Sequence, residues 1–462
     1  MSDRAFDAMN PLRRWLTQAP LPVLVLYAIG TSFAVYFCMY AYRKPFDAVS
    51  FNDRLYLGTW INLKTVCVTG QIVGYMISKY LGAKFCSEVS AGRRAGLLIA
   101  LILVSEAGLL LFAVVPEGFQ PAAMFLNGVP LGMVWGLVVR YLEGRRTSEM
   151  LLAGLSCSFI IAGAVTRDIG RELVIKEWGI SESWMPFVTG GLFFLPFVAA
   201  VVLLDQLPPP DEADLAARAA RPDMGPEDRR NFLALFGPCL VPLLTAYFFL
   251  TAYRDFRDHY AAELFQTLQL DGDRAIFSHT EKWALLGSLI VMASLNLIGD
   301  HRRALLAAYG VIVAGFLLIG AATWAFHADA LSGFWWMALV GLGMNLAYVP
   351  YGAILFERMV SATRFVGTSV FAIQFADGIG YTGSVLIQIY RDLLHGSQDR
   401  LTFFVPFSFA LSIGGAVLMV ISALLIVRIL HQRALGLEPA DQEPAASALA
   451  KGPSECTKHP TI

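Results

Sequence analysis

Long apolar runs separated by short polar connections dominate the hydrophobic pattern of this chain. About twelve windows approach the length of roughly 20 apolar residues that a helix needs to cross a bilayer. They lie near residues 21–42, 57–82, 95–115, 121–142, 149–166, 184–204, 232–253, 280–299, 304–326, 333–355, 365–390 and 402–430. The pattern therefore predicts an all-α polytopic membrane protein with twelve transmembrane helices.

One long polar insertion divides these windows into six and six. Residues 206–231 contain three successive prolines, Pro208 to Pro210, and an Ala-rich charged run. We predict an N-terminal six-helix bundle at 21–205, a cytoplasmic linker at 206–231 and a C-terminal six-helix bundle at 232–432. Residues 1–20 are expected to form a cytoplasmic leader, either an amphipathic surface helix or a solvated segment. The Ala-, Pro- and Glu-rich stretch 433–462 is expected to be a disordered cytoplasmic tail.

The two halves repeat one another in sequence. The recurring stretches are Tyr36 to Asp47 with Tyr247 to Asp258, Leu131-Gly132-Met133 with Leu342-Gly343-Met344, and Arg93-Arg94-Ala95 with Arg302-Arg303-Ala304. The three stretches recur in the same order. Two six-helix repeats in parallel, joined by a linker, are the arrangement of the major facilitator fold, in which substrate binds at the membrane midplane between the halves.

Charge and composition agree with a membrane protein and indicate its orientation. Only 15% of the residues are charged and 56% are hydrophobic, whereas a soluble domain carries about 25% charged residues. Lysines and arginines gather on alternate connections, so the positive-inside rule places both termini in the cytoplasm of an inner (plasma) membrane. The net charge of −1 gives no reason to expect nucleic-acid binding. A lipid bilayer and a small metabolite are the expected partners of a monomer without metal or cofactor.

Two arginines stand out among the ionisable residues of the apolar windows. A charge facing lipid there costs about 2.5 to 3.5 kcal/mol or more, so such residues normally face a cavity or a partner. Arg43 and Arg254 occupy equivalent positions in the repeat, which would bring them to one point from opposite halves. Paired planar guanidinium groups suit phosphate or carboxylate. The alternative is that each arginine is neutralised by its own aspartate one helical turn on, Asp47 or Asp258.

Other charged residues have simpler interpretations. Snorkelling to the membrane surface or a local ion pair is expected of those near span ends, namely Lys64, Arg167, Asp168, Glu281 and Lys282. Asp377 and Glu106 could supply a proton site for coupling, because a carboxyl in a low-dielectric pocket holds its proton more tightly. A structural hydrogen bond between helices is the alternative that we favour for both.

The first two spans carry a resemblance to a known family. Tyr36-x-x-x-Tyr40-x-x-Arg43-Lys44, together with Tyr75-x-x-Ser78-Lys79, resembles the organophosphate:phosphate antiporter branch of the major facilitator superfamily, which includes the glycerol phosphate transporter. The resemblance implies that substrate is bound by Arg43, Arg254, Lys44, Lys79, Tyr36, Tyr40, Tyr75 and Tyr348, with Asp377 in the same pocket. Packing alone remains the alternative for each tyrosine.

Several residues depart from that family pattern. The fifth span has no histidine, and Asp377 and Thr251 stand where the family has tyrosines. These departures favour a substrate other than glycerol phosphate or hexose phosphate, and a divergent bacterial offshoot of the branch.

We therefore predict a secondary active transporter that moves a small phosphorylated or carboxylated metabolite by alternating access, through exchange or proton coupling. A membrane sensor that binds such a metabolite without transporting it is the alternative. An enzyme is not favoured, since no GxSxG or HExxH motif occurs, and the chain offers no catalytic residues. The histidines, His259 among them, fall in predicted loops or near span ends.

Overall fold

Twelve long helices make up most of the part of the chain that the structure describes. The computed structural model describes residues 10–51, 54–145, 147–211, 214, 226–363, 369–395 and 399–434. The helices are α1 Leu21–Tyr40, α2 Leu63–Glu88, α3 Arg94–Val114, α4 Gln120–Leu142, α5 Ser148–Asp168, α6 Met185–Leu204, α7 Pro226–His259, α8 Ile276–Asn296, α9 His301–His327, α10 Gly333–Pro350, α11 Ser369–His395 and α12 Arg400–Ala434. Most of the predicted linker, and the predicted tail beyond Ala434, lie outside the described residues.

Shorter elements modify the ends of these helices. α5 continues as a π-helix at Ile169–Glu177, and α10 continues through a π-helix at Tyr351–Leu355 into Phe356–Thr363. Short helices lie at Pro11–Gln18, Pro45–Ala48 and Ala261–Thr267. α2 begins six residues later than the apolar window suggests, because the Asn62 side chain caps it by accepting a hydrogen bond from the Lys64 backbone N–H.

The helix pairings within one half recur in the other. In the first half α2 packs on α4, α3 on α4, α1 on α5, α1 on α6 and α3 on α6. In the second half the equivalent pairs α8–α10, α9–α10, α7–α11, α7–α12 and α9–α12 form the same set of contacts. This correspondence confirms the prediction of twelve helices in two parallel repeats.

Two helix pairs join the halves, α2 with α11 and α5 with α8. Among the described residues, nine helices contain a window long and apolar enough to cross a membrane. The three long helices that do not reach this level, α2, α8 and α11, all pack against the opposite half. Buried charged residues such as Lys64 of α2 and Glu281 of α8, which lower the hydropathy of these helices, therefore face protein rather than lipid.

The two ends of the bundle are distinguished by its connections. We call the end at which α1 leads into α2 the outer end, because the positive-inside rule predicts that it faces away from the cytoplasm. The connections from α5 to α6 and from α7 to α8 reach the same end.

Close packing of α2 on α4 depends on glycine. A Cβ atom at Gly128 would overlap the backbone carbonyl of Gln71. We expect Gly128→Ala to lower the free energy of unfolding by about 1–3 kcal/mol, since backbone must move to admit the methyl group. Gly310→Ala in α9, where the added methyl meets open space, is the matched control and should be neutral or slightly stabilising. Thermal unfolding of the two purified variants checks this, and equal melting temperatures would contradict it.

Candidate functional site

A small cavity lies between the two halves, on the inner side of the α1 terminus. Its lining residues are Tyr40, Arg43, Lys44, Phe159, Ile160, Gly163, Arg167, Arg254, Asp255, Asp258, Glu281, Met344 and Asn345. The cavity measures about 30 Å³. One water molecule needs roughly 10–15 Å³ on this scale, so there is room for about two. The arrangement is therefore a tight, charged site shared by both repeats.

Arg43 reaches this cavity as a buried cation with few partners. α1 ends at Tyr40, and the chain turns through residues 41–44 before Pro45. The Arg43 guanidinium lies over the Tyr75 ring, 4.2 Å from its centroid. The side chain is 3% exposed, and its buried Nε has no hydrogen-bond partner. Within the described part of the chain, no carboxylate forms a salt bridge with Arg43.

Arg254 enters the same cavity from α7 and is partly neutralised. Its guanidinium lies 4.1 Å from the centroid of the Tyr348 ring, so both arginines rest on a tyrosine. Its Nη2 lies 2.9 Å from Oδ1 of Asp255. The other oxygen of Asp255 accepts a hydrogen bond of 2.7 Å from Ser384 in α11. The partner of Arg254 is thus its neighbour Asp255.

Lys44 binds the two aspartates that the sequence suggested as partners of the arginines. Its Nζ lies 3.3 Å from Oδ2 of Asp47 and 3.2 Å from Oδ2 of Asp258. The alternative in which Asp47 and Asp258 neutralise Arg43 and Arg254 is therefore wrong. Lys44 therefore leaves Arg43 facing the cavity without a salt bridge to a carboxylate in the described structure. Arg167, the other cavity cation in that state, donates instead to the backbone carbonyls of Gly163 and Asp258.

Further ionic contacts join the halves at the outer end. Asp47 Oδ1 lies 2.7 Å from Nδ1 of His259, and Lys64 Nζ lies 2.8 Å from both carboxylate oxygens of Glu263. We call Lys44, Asp47, Lys64, Asp258, His259 and Glu263 the outer ionic layer. Three of its pairs, Lys44–Asp258, Asp47–His259 and Lys64–Glu263, take one residue from each half, so the layer holds the outer end closed.

This layer and its neighbours correct the expectation of surface snorkelling for four of the five residues near span ends, whereas the alternative of an ion pair holds for Lys64 and Glu281. Lys64, Arg167, Asp168 and Glu281 are all buried. Arg167 donates to the backbone carbonyl of Asp258 at 2.8 Å, and Asp168 accepts a hydrogen bond of 2.8 Å from the Ser278 N–H at the start of α8. Lys282, in contrast, is exposed and lies beside Trp283, as a snorkelling residue should. The difference in exposure arises because the first four residues lie near helix ends that are buried between the two halves, whereas Lys282 faces outward.

Glu281 has a partner of its own. Its Oε1 lies 2.5 Å from Nη1 of Arg257, which also donates to the backbone carbonyl of Met337. The Glu281 carboxylate at the cavity edge is thus already compensated within the second half.

Lys79 and Asp377 of the predicted site lie beside the cavity rather than in its lining. Lys79 Nζ is 3.6 Å from Oδ2 of Asp377 in α11, and Asp377 also accepts a hydrogen bond of 2.9 Å from Tyr247. This ion pair joins the halves on the inner side of the arginines. The Asp377 contacts agree with the interhelical structural role that we favoured for it.

The tyrosines occupy two kinds of position. Tyr40 lines the cavity. Tyr36 packs edge-on against Tyr40 and Trp135, with centroid distances of 5.5 and 4.9 Å. Tyr75 and Tyr348 support the two arginines, and Tyr75 also contacts Tyr381 across the halves at 5.0 Å.

Glu106 lies away from this cavity. Its carboxylate packs against Gly190 and Gly191 of α6, and Oε2 is buried without a hydrogen-bond partner. The ring of Tyr42 packs on the same glycine, Gly190. Glu106 therefore lies in the interior of the first half, outside the cavity lining, and its Oε2 lacks the interhelical hydrogen bond that we favoured for this residue.

The structure adds residues that sequence reasoning did not assign to the site. Asn345 and Asp255 line the cavity, while His259 and Glu263 hold its outer side. Asp255 and His259 lie next to motif residues, which is a weak signal. Nothing in the sequence pairs Glu263 with Lys64, because these residues come from opposite halves.

Comparison with solved structures shows the fold. The chain is similar to the proton:xylose symporter XylE bound to 6-bromo-6-deoxy-D-glucose, with a TM-score of 0.61 and 13% identity over 88% of this chain and 96% of that chain. A POT peptide transporter in complex with alafosfalin gives a TM-score of 0.57 and 14% identity over 87% and 95%. At such identities the likeness establishes the major facilitator fold alone.

Sequence comparison supplies the family. No curated protein matches the chain. Residues 45–428 match a family described as "Family of unknown function (DUF5690)". This range begins directly after Arg43 and Lys44, and it contains Arg254 and the other residues of the outer ionic layer. The chain is a multi-pass membrane protein of the major facilitator fold that belongs to the DUF5690 family.

Proposed function

We propose that this protein is a secondary active transporter that moves a small anionic metabolite, phosphorylated or carboxylated, by alternating access. The observation that carries the proposal is the state of Arg43. Its guanidinium is buried, faces a cavity between two repeats, and has no salt bridge within the described residues. Removing a cation from water without a partner costs several kcal/mol, so this position favours a bound anion.

The surroundings of Arg43 suit an anion of small size. Arg254 and Lys44 line the same cavity, and although each has a carboxylate partner, both can turn a donor toward a ligand. Tyr75 and Tyr348 fix the planes of the two guanidinium groups, which favours bidentate contacts with phosphate or carboxylate. The two groups come from different halves, so a ligand bound by both draws the halves together.

The contacts between the halves support alternating access. On the outer side of the cavity the halves are held by the outer ionic layer, and on the inner side by the Lys79–Asp377 pair and Tyr75–Tyr381 packing. Neither set is covalent, so each can open while the other stays closed. Facing cations resist closure, and an anion between them relieves that repulsion. Exchange of one anion for another, or coupling to protons, follows from this scheme.

The similar structures agree with a transport role. Their printed descriptions are of a proton:xylose symporter and of a peptide transporter, and both are transporters built on this fold. We place the protein in the plasma membrane as a monomer with both termini in the cytoplasm, on the basis of its charge distribution. A sensor would share the binding site, so transport must be measured separately from binding.

A ligand screen tests the proposal. Purified protein is heated with phosphate, glycerol 3-phosphate, citrate and other phosphorylated or carboxylated metabolites, with xylose, glycerol and a neutral dipeptide as uncharged controls. An anion at 100 times its Kd stabilises the folded protein by about 2.7 kcal/mol. Stabilisation by uncharged compounds alone would contradict the anion assignment. Counterflow of the best anion in liposomes then separates a transporter from a sensor, which would bind without counterflow.

A further inference from the structure

A histidine and an aspartate from opposite halves meet in the outer ionic layer. Asp47 lies in the short helix Pro45–Ala48 that follows α1, and His259 is the last residue of α7. Their side chains are 0% exposed, with 2.7 Å between Oδ1 and Nδ1. Because the two residues belong to different halves, any motion that opens the outer end must separate them and admit water to both.

The imidazole has one ring nitrogen in use and one without a partner. Nδ1 shares a hydrogen with Asp47, whereas Nε2 is buried and has no hydrogen-bond partner in the described structure. A proton added to Nε2 would place a charged N–H donor in a buried position with no acceptor. Leaving such a donor unsatisfied is expensive, so the closed outer end favours the neutral ring.

The groups around the pair do not offset that cost. The charged residues facing it from the packed elements are Lys44, Lys64, Arg167, Asp255, Asp258 and Glu263. The three carboxylates among them already contact a cation, Asp255 with Arg254, Asp258 with Lys44 and Glu263 with Lys64. Asp47 itself lies 3.3 Å from Lys44. The one carboxylate oxygen that contacts the imidazole, Oδ1 of Asp47, lies at Nδ1, so the described structure places no acceptor at Nε2.

We propose that Asp47 and His259 form a proton-binding site that is used only when the outer end opens. Separation of the pair exposes the imidazole to the outer solution, where it takes up a proton at mildly acidic pH. Closure expels that proton, because Nε2 then has no acceptor. Acidification therefore favours the outward-open form, and the ligand of this site is the proton. The inference rests on the proposed movement of the two halves but not on the identity of the transported anion.

Proton linkage gives the expected size of the pH effect on the ratio of open to closed forms. A histidine that binds a proton with ordinary affinity near pH 6.5 in the open form, and not in the closed form, raises the ratio of open to closed by about tenfold between pH 7.5 and 5.5. The sign is fixed by the site: the closed form has the lower proton affinity, so its share falls as the pH falls.

Spin labels measure this ratio without any ligand. The six native cysteines are first replaced. Spin labels are then attached to cysteines introduced at Ser181, between α5 and α6, and at Asp271, between α7 and α8, which are both exposed at the outer end. Electron–electron distance distributions at pH 7.5 and 5.5 should show the long-distance population growing about tenfold relative to the short one. His259→Gln should abolish this dependence on pH.

A second histidine at the same end is the matched control. His279 is exposed and binds Asp273 at 2.6 Å, so His279→Gln should leave the pH response intact. The proposal is overturned if the wild type shows no pH response, if His279→Gln removes it, or if His259→Gln changes the ratio equally at both pH values. Should His259→Gln fail to fold, His259→Asn in its place must flatten the response, because it also removes the imidazole. Because no anion is present, failure here leaves the anion transport proposal standing, and the reverse also holds.

Discussion

Replacement of Arg43 by lysine is expected to weaken anion binding by at least tenfold and to abolish uptake. The lysine keeps the charge but loses the planar fork that lies over Tyr75 and reaches the cavity. Hydrogen bonds to charged groups contribute about 1.5–3 kcal/mol, which corresponds to roughly 10–150-fold in affinity. Titration calorimetry with the tightest-binding anion of the screen measures the change.

Two further variants test whether the loss of binding is specific to Arg43. Arg254→Lys should weaken binding less than Arg43→Lys, because Asp255 already neutralises Arg254. Arg302→Lys, at an exposed position at the start of α9, should bind anion as the wild type does. If Arg43→Lys transports normally, Arg43 is not part of the binding site.

Glu263→Gln should produce the largest change in the balance between the two ends of the transporter. Lys64 is fully buried, and both carboxylate oxygens of Glu263 lie 2.8 Å from its Nζ. Removing one partner of a buried ion pair costs about 3–5 kcal/mol. Because the pair joins the two halves, we expect that cost to appear as opening of the outer end by about a hundredfold or more. Labels at Ser181 and Asp271 report it.

Controls at the same end distinguish this effect from general loss of charge. Arg54 and Glu117 form an exposed pair with 3.0 Å between Nη2 and Oε2, so Glu117→Gln should shift the balance by no more than about 1 kcal/mol. The double variant Lys64→Met with Glu263→Met should close the outer end again, since paired apolar side chains avoid the buried charge. Equal openings in Glu263→Gln and Glu117→Gln would exclude this role for the buried pair.

The sequence was sufficient for the fold and for the meeting of the two arginines. Apolar windows predicted the helices because each window is a local property. Parallel repetition placed Arg43 and Arg254 at equivalent positions, and they line one cavity in the structure. Both results need only the order of residues and the symmetry of the repeat.

The partners of the charged residues could not be predicted in the same way. The expectation that Arg43 binds Asp47 assumed a continuous helix, but α1 ends at Tyr40 and Pro45 starts a separate short helix. In α7 the helix does continue, but Asp258 forms its salt bridge with Lys44 of the opposite half rather than with Arg254. Contacts between the halves join residues that are 199 positions apart, as in Lys64–Glu263, or 212 apart, as in Asp47–His259, so packing alone sets them. The spacing of residues within one helix cannot predict such contacts between halves.

The modest hydropathy of α2, α8 and α11 has a consequence for biosynthesis. Among them, α2 and α11 carry Lys64, Lys79 and Asp377, whose salt-bridge partners lie in the opposite half. When α2 leaves the ribosome, Glu263 and Asp377 have not yet been made. An isolated α2, with its three lysines Lys64, Lys79 and Lys84, enters the bilayer less readily than its apolar neighbours. Stable insertion of α2 thus depends on helices synthesised later, so chains truncated before α7 should be retained poorly in the membrane and degraded.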